Sequence, residues 1–262
     1  MSGGKAAARP RVDIDATAEK LQRLGLLHAQ QRLPDLLSAA VKGDDGPHRF
    51  LDMLLEAEIA WREERRIRTS LKLSGLPTGQ TLESFDFSFQ PSIERSRIET
   101  LGTCQWIREK RTVLLQGPPG VGKTHLAVAL GVKAIEHGFG VMFYRLEELL
   151  VALRRDADLP PSRLRRKKYL SAALLVIDEM GFEPMNRQEA SLFFRLVSHR
   201  YERGSILITT NKGIRDWPEL LAGDEVLATA ILDRLLHHSH VLNIKGRSYR
   251  LRDLERAAVA AG

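Results

Sequence analysis

The stretch Gly117-Pro118-Pro119-Gly120-Val121-Gly122-Lys123-Thr124 has the residue types and spacing, G-x-x-x-x-G-K-T, of a loop that binds nucleoside triphosphate. Its glycines let the backbone turn tightly and aim N–H groups at phosphate oxygens. The helix start that includes His125 adds a partial positive charge. In that role Lys123 reaches the β- and γ-phosphates and the Thr124 hydroxyl holds Mg2+. Hydrolysis needs a carboxylate for the metal and another group to polarise the attacking water. Asp178 and Glu179 follow four aliphatic residues, Leu174 to Ile177, and suit those two tasks. Asn211, after Thr209-Thr210, is placed to sense the γ-phosphate, although an ordinary strand-ending turn reads the same way. Arg234, in Ile231-Leu232-Asp233-Arg234-Leu235-Leu236, either pairs locally or reaches the γ-phosphate of a neighbouring subunit as an arginine finger.

These groups need a scaffold of strands and helices in alternation. Thr112 to Leu115 reads as a buried strand and His125 to Glu136 as a helix closed by His137-Gly138. Further strands are expected at Val141–Tyr144, Leu174–Ile177, Ser205–Thr209 and Val241–Ile244. Helices are expected at about 92–110, 147–155, 162–170, 187–203, 216–221, 224–237 and 250–261. Strands spaced by helices imply a parallel sheet covered on both faces. Ahead of it, the pattern gives a helix over about 13–32 and a short helix with Pro34 in its first turn. After the turn Gly43-Asp44-Asp45-Gly46-Pro47, a long helix runs from about His48 to Lys72. Phe50, Met53, Leu54, Ala57 and Trp61 form the apolar stripe of that helix. Phe85, Phe87 and Phe89 alternate after a linker at 74–79. They either pin the linker to the main domain or, less simply, form a platform for bases. The reading divides the chain into a basic helical domain at 1–76 and an ATPase domain at 77–262.

The chain has 262 residues and a formal net charge of +7, which points to a polyanionic partner. With 28% charged residues and no long apolar run, a membrane-spanning segment is not expected. The start lacks an apolar signal core, and the one cysteine, Cys104, suits a reducing compartment, so a cytoplasmic protein is expected. Two basic clusters are candidates for DNA contact. Arg62, Arg65 and Arg66 lie on one face of the long helix, either toward phosphates or solvated and paired with Glu58 and Glu63. Arg154, Arg155, Arg163, Arg165, Arg166, Lys167 and Lys168 face only Asp156 and Asp158 in their segment. His237, His238 and His240 have no cysteine or carboxylate cluster beside them that would complete a metal site.

The phosphate loop with His125-Leu126-Ala127, Val176 to Gly181, Arg200-Tyr201-Glu202-Arg203-Gly204, Thr209 to Lys212, Asp233 to His238 and Gly246 to Arg250 resembles the IstB-type ATP-binding proteins. These are AAA+ helper ATPases of insertion sequences, related to DnaC-type helicase loaders. The likeness runs over most of the chain, with Val121 and Met180 as minor departures. It implies a AAA+ P-loop core with a five-stranded parallel sheet flanked by helices, a small all-helical N-terminal domain and a C-terminal lid that is reduced or absent. It implies ATP and Mg2+ as ligands, with Gly117 to His125 around the phosphates and Thr124 and Asp178 on the metal. It further implies Glu179 on the water, Asn211 as first sensor, Arg234 as a finger in trans and Arg250 as a second-sensor-like arginine. The partners it implies are double-stranded DNA, a cognate transposase and further copies of the chain in an ATP-dependent homo-oligomer. A DnaC-like loader of a replicative helicase is the alternative.

Overall fold

The computed structural model describes residues 13–249, 251 and 252. Arg250 and most of the expected final helix lie outside the described residues. Two compact units divide inside a long helix, the first ending at Arg68 and the second beginning at Thr69.

In the first unit, α1 (Ile14–Arg23) and α2 (Leu27–Lys42) precede α3 (Pro47–Ser74), which continues into the second unit. A single helix expected over 13–32 is instead two. Gly25, at a left-handed φ of 71°, ends α1, with the Gly25 and Leu26 amides donating back to Gln22 and Leu21 carbonyls. Pro34 correspondingly lies inside α2 rather than in a first turn. Leu21, Ala29, Leu33 and Leu54 make the small core. At its edge the buried Glu58 carboxylate accepts from the Ala29 amide at 2.8 Å and from Arg62 Nε at 2.7 Å.

The second unit begins at the end of α3. A strap at 75–94 leads to α4 (Arg95–Gly102) and α5 (Gln105–Arg108), where the sequence suggests one helix over 92–110. Cys104 takes φ 60° and breaks it. The sheet and its connections follow as β1 (Thr112–Gln116), α6 (Lys123–Glu136), β2 (Val141–Arg145), α7 (Leu146–Asp156), α8 (Pro161–Leu164), α9 (Lys168–Ser171) and β3 (Leu174–Met180). Then come α10 (Arg187–Arg200), β4 (Ser205–Thr210), α11 (Trp217–Leu220), α12 (Glu225–Leu236) and β5 (Ser239–Asn243). The expected helix over 162–170 is two single turns, α8 and α9. Pro160 and Pro161 fix its start, and Lys167 adopts an extended conformation between the turns.

All five strands are parallel, in the order β2-β3-β4-β1-β5. Leu114, Leu175, Ile177, Ile206 and Ile208 face α7, α10 and α12 in one large apolar cluster. Val113, Leu115, Val176 and Leu207 alternate with them and are buried on the face that α6 covers. Parallel strands put all five C-terminal ends at one edge, where the loops after β1, β3 and β4 meet.

Candidate active site

The loop after β1 is held at its base by backbone. The Gly117 amide donates to the Thr210 carbonyl at 3.1 Å, and the Ile244 amide to the Gln116 carbonyl at 2.7 Å. Gly120 and Gly122 take φ of 81° and 96°. A Cβ at Gly122 would lie 2.7 Å from the Phe85 ring, and one at Gly120 would strike Ser248, so no side chain fits at either position. Lys123 opens α6 and folds back over its own loop, donating to the Gly117 and Pro118 carbonyls at 2.7 and 2.8 Å. Val121 is fully buried beneath, and Pro119, Gly120, Lys123 and Thr124 border a cavity of about 320 Å3.

Thr124, on the wall of that cavity, meets the buried Asp178. The Thr124 hydroxyl lies 2.9 and 3.0 Å from the two Asp178 carboxylate oxygens. Asp178 is 2% exposed. A hydroxyl and a carboxylate this close form the all-oxygen donor set that a hard divalent cation prefers, so these residues fit Mg2+.

Glu179 lies just beyond, where the pairing of β3 with β4 slips between Ile177 and Met180. The irregularity puts Glu179 at φ 62° and turns its side chain into the cavity. Its Oε2 is 3.6 Å from Arg145 Nε, at the end of β2. Thr209 ties the acidic pair together. Its hydroxyl donates to Asp178 Oδ1 at 2.5 Å and accepts the Glu179 amide at 3.0 Å. β4 lies between β3 and β1, so the metal-facing and phosphate-facing strands communicate through it. Asn211 also lines the cavity, and its buried Oδ1 has no hydrogen-bond partner among the described residues. An acceptor left in this state is suited to a water or other donor entering the cavity.

His125 turns away from the phosphate end. Its Nε2 lies 2.9 Å from the Thr81 carbonyl and 3.2 Å from Ser84 Oγ, while Phe85 meets its ring edge-on at 5.2 Å. A carbonyl only accepts, so Nε2 carries the proton. Phe85 thus pins the strap onto the phosphate loop. Phe87 instead sits under Arg95, and Phe89 packs on Tyr249 and Arg252.

Arg234 is elsewhere. It lies in the last turn of α12, over the Phe194 ring at 5.0 Å, and donates to the Ala230 carbonyl at 2.7 Å. It lines a cleft with Glu109, Thr112, Tyr201 and His238, at the edge where β1 and β5 begin. The phosphate loop lies beyond the other end of β1, roughly 16 Å away along a five-residue strand. Arg234 therefore does not serve the phosphate loop of its own chain.

The basic candidates separate into two kinds. Arg62 clamps Glu58 and donates to the Gly25 carbonyl at 2.7 Å, Arg65 stacks over Trp61 and Arg66 grips Glu63. Arg154 pairs with Glu189 at 2.6 Å, and Arg155 and Lys167 bind the buried Asp156 at 3.3 and 2.9 Å. Burial pushes the Asp156 carboxyl up, but Lys167, Arg155 and Tyr169 outweigh it and hold the group below its usual range. Arg163, Arg165, Arg166 and Lys168 are exposed, with no carboxylate in ion-pair range among the described residues.

Sequence reasoning missed Arg145, the role of Thr209 and the anchoring of Arg200. For Thr209 the available signal was the strand period of two, which sets it on the same face as Asn211. The Arg200 guanidinium is 1% exposed and donates to the carbonyls of Tyr169, Leu170, Ala172, Ala173 and Ser205. Burial without a carboxylate lowers it to about 10.

The family model of the IstB-like ATP binding protein matches residues 16–257. The chain belongs to the IstB-like ATP-binding proteins. It is 48% identical over 241 residues to a protein of Pseudomonas aeruginosa described as an ATP-binding protein of insertion sequence IS21, covering 91% of this chain and 90% of that one. It is 44% identical to the corresponding protein of insertion sequence IS5376 from Geobacillus stearothermophilus, covering 78% and 81%. Among solved structures, a DnaC helicase loader aligns with a TM-score of 0.51 at 22% identity, over 63% of this chain and 97% of that one. AMPPCP-bound DnaA from Aquifex aeolicus aligns at 0.53 and 18% identity, over 71% and 56%. These likenesses identify a AAA+ P-loop fold, as the sheet order and loop positions require. No helix among the described residues is long and apolar enough to cross a membrane.

Proposed function

We propose that this IstB-like protein is an ATP-hydrolysing switch that assembles on double-stranded DNA and, in that state, recruits or activates a transposase. The observation that carries the reading is the Thr124–Asp178–Thr209–Glu179 network beside Lys123. It gathers a phosphate-binding cation, oxygen ligands for a metal and the Glu179 carboxylate around one cavity.

In this reading the Lys123 ammonium leaves its own loop carbonyls for the β- and γ-phosphates. Mg2+ held by Thr124 and Asp178 supplies charge neutralisation on the phosphate oxygens. Glu179 accepts a proton as the water oxygen bonds to the γ-phosphorus and the bond to the β–γ bridging oxygen breaks. Asn211 Oδ1 accepts from that water and fixes its direction. Arg234, remote from the site of its own chain, completes the site of a neighbour and senses whether the γ-phosphate is there. Loss of the γ-phosphate then removes what joins two subunits, and the assembly loosens from DNA.

The test is electron microscopy of the purified protein with duplex DNA and ATP, alongside an ATPase assay. DNA-coating multimers that need ATP and vanish in Lys123→Ala are expected. Glu179→Gln should keep the multimers and abolish turnover. A wild-type protein that neither hydrolyses ATP nor assembles on duplex DNA overturns the proposal.

A further inference from the structure

The basic segment 154–168 lies beside further cations on α10 and in the turn after it. α8 and α9 pack against α10 across a cleft lined by Leu164, Leu170 and Leu196, with Arg195 and His199 on its α10 side. Arg195 and Arg203 are exposed, and neither has a carboxylate in ion-pair range among the described residues. Arg203 bends back to the His199 carbonyl. Burial first, then the charges of Arg203, Arg165 and Arg200, hold the His199 imidazole below its usual range. Cations from two separate elements therefore crowd one site.

The nearby carboxylates do not relieve that crowding. Asp156 is buried under Arg155, Lys167 and Tyr169, and Glu189 is taken by Arg154. Asp158 and Glu202 are exposed, and neither forms an ion pair among the described residues. The surface is also stiff. Asp156 holds Lys167 from beneath, and the five carbonyl bonds of Arg200 lock residues 169–173 to the start of β4. Cations carried on an anchored backbone, with no ion-paired carboxylate among the described residues, match a partner whose negative charges repeat at fixed spacing.

We infer that Arg163, Arg165, Arg166 and Lys168 form, with Arg195 of α10 and Arg203 of the turn after it, one surface that binds the phosphate backbone of duplex DNA. Arg154, Arg155 and Lys167 act as internal anchors and are not contacts. This rests on the DNA-binding reading above and names its surface. Contacts of this kind carry no base information, so binding is strong in low salt and indifferent to sequence.

Anisotropy of a labelled duplex with the full-length protein, in ATP across about 50–200 mM salt, tests it. Each phosphate contact contributes about 0.9 to the slope of log affinity against log salt. Arg195→Gln/Arg203→Gln should flatten the slope by about 2, and Arg163→Gln/Arg166→Gln by a similar amount. The charge-matched control Arg95→Gln/Arg111→Gln removes two cations already paired with Glu99 and Glu109 and should leave the slope nearly as in the wild type. If the Arg195→Gln/Arg203→Gln double variant fails to fold, the exposed Arg195→Gln alone carries the test, with a change of about 1. A wild-type slope in the Arg195→Gln/Arg203→Gln variant, or equal loss in the control, overturns the surface while leaving DNA binding intact. A wild-type protein that binds no duplex overturns both readings together.

Discussion

Thr209→Val deletes one hydroxyl and little volume, yet it is expected to disable the ATPase. The Thr209 hydroxyl is the link between two groups that β3 alone does not hold. It donates to the buried Asp178 carboxylate and accepts the Glu179 amide, which sits at a left-handed φ. A hydrogen bond to a charged group contributes about 1.5–3 kcal/mol, and an orphaned amide costs about 1–3 kcal/mol. With partial repair by water the loss is about 2–4 kcal/mol, and for a unit of this size Tm falls by about 4 to 16 °C. Every 1.36 kcal/mol that falls on the catalytic geometry is tenfold in rate, so kcat should drop about tenfold or more. Nucleotide affinity, set mainly by Gly117–Lys123, should change much less. Steady-state ATPase kinetics, nucleotide titration and calorimetry separate the three quantities. Thr209→Ser restores the hydroxyl and should recover most of the rate. Wild-type kcat and Tm in Thr209→Val would refute the relay through β4.

Other substitutions probe the remaining parts. Gly122→Ala places a methyl against Phe85 at a φ of 96° and should abolish nucleotide binding by titration, with Phe85→Ala/Gly122→Ala recovering little because the backbone strain stays. Arg234→Ala and Lys123→Ala should each be inactive alone, while a mixture regains ATPase activity at interfaces that join intact Arg234 to intact Lys123; no recovery would exclude action in trans. Arg200→Met leaves several buried carbonyls without donors and should cost about 3–5 kcal/mol by chemical denaturation. Arg200→Lys should rescue little, since one ammonium cannot span five acceptors. Burial raises the Glu58 carboxyl, but the Ala29 amide and Arg62 outweigh it, so its folded value lies below the usual range. Its stabilising contribution is then present above about pH 4.3 and is lost as pH falls through the lower folded value. Hydrogen exchange at the Ala29 amide should show protection that Glu58→Gln weakens near neutral pH and that acid removes from the wild type.

Features written in consecutive residues were readable from the sequence. The phosphate loop, the aliphatic run ending in Asp178-Glu179 and the five strands each carry their signal locally, because strand period and glycine geometry act over a few residues. The ends of helices were less readable where a non-glycine residue takes a left-handed turn. Nothing about Cys104 announces that it splits α4 from α5, and Pro34 is a stronger sequence signal than Gly25 although the chain breaks at Gly25. The arginines were least readable. Arg155 and Arg165 look alike in a string of letters, and only the position of Asp156 in three dimensions makes one an anchor and leaves the other facing solvent. The role of Arg200 depends on carbonyls from Tyr169 to Ser205, and backbone oxygens have no letter in a sequence.

The phosphate loop is approached from both directions along the chain. Phe85, before β1, sits against Gly122, while after β5 the Tyr249 amide donates to the Gly120 carbonyl at 2.8 Å and Ser248 packs beside it. Synthesis runs from one of these segments to the other. The ribosome makes Gly117–Thr124 well before Ser248-Tyr249, so the loop gains this backbone partner only once Tyr249 has been added and can reach it. The sheet can form around its own apolar strands before the second clasp closes on the loop.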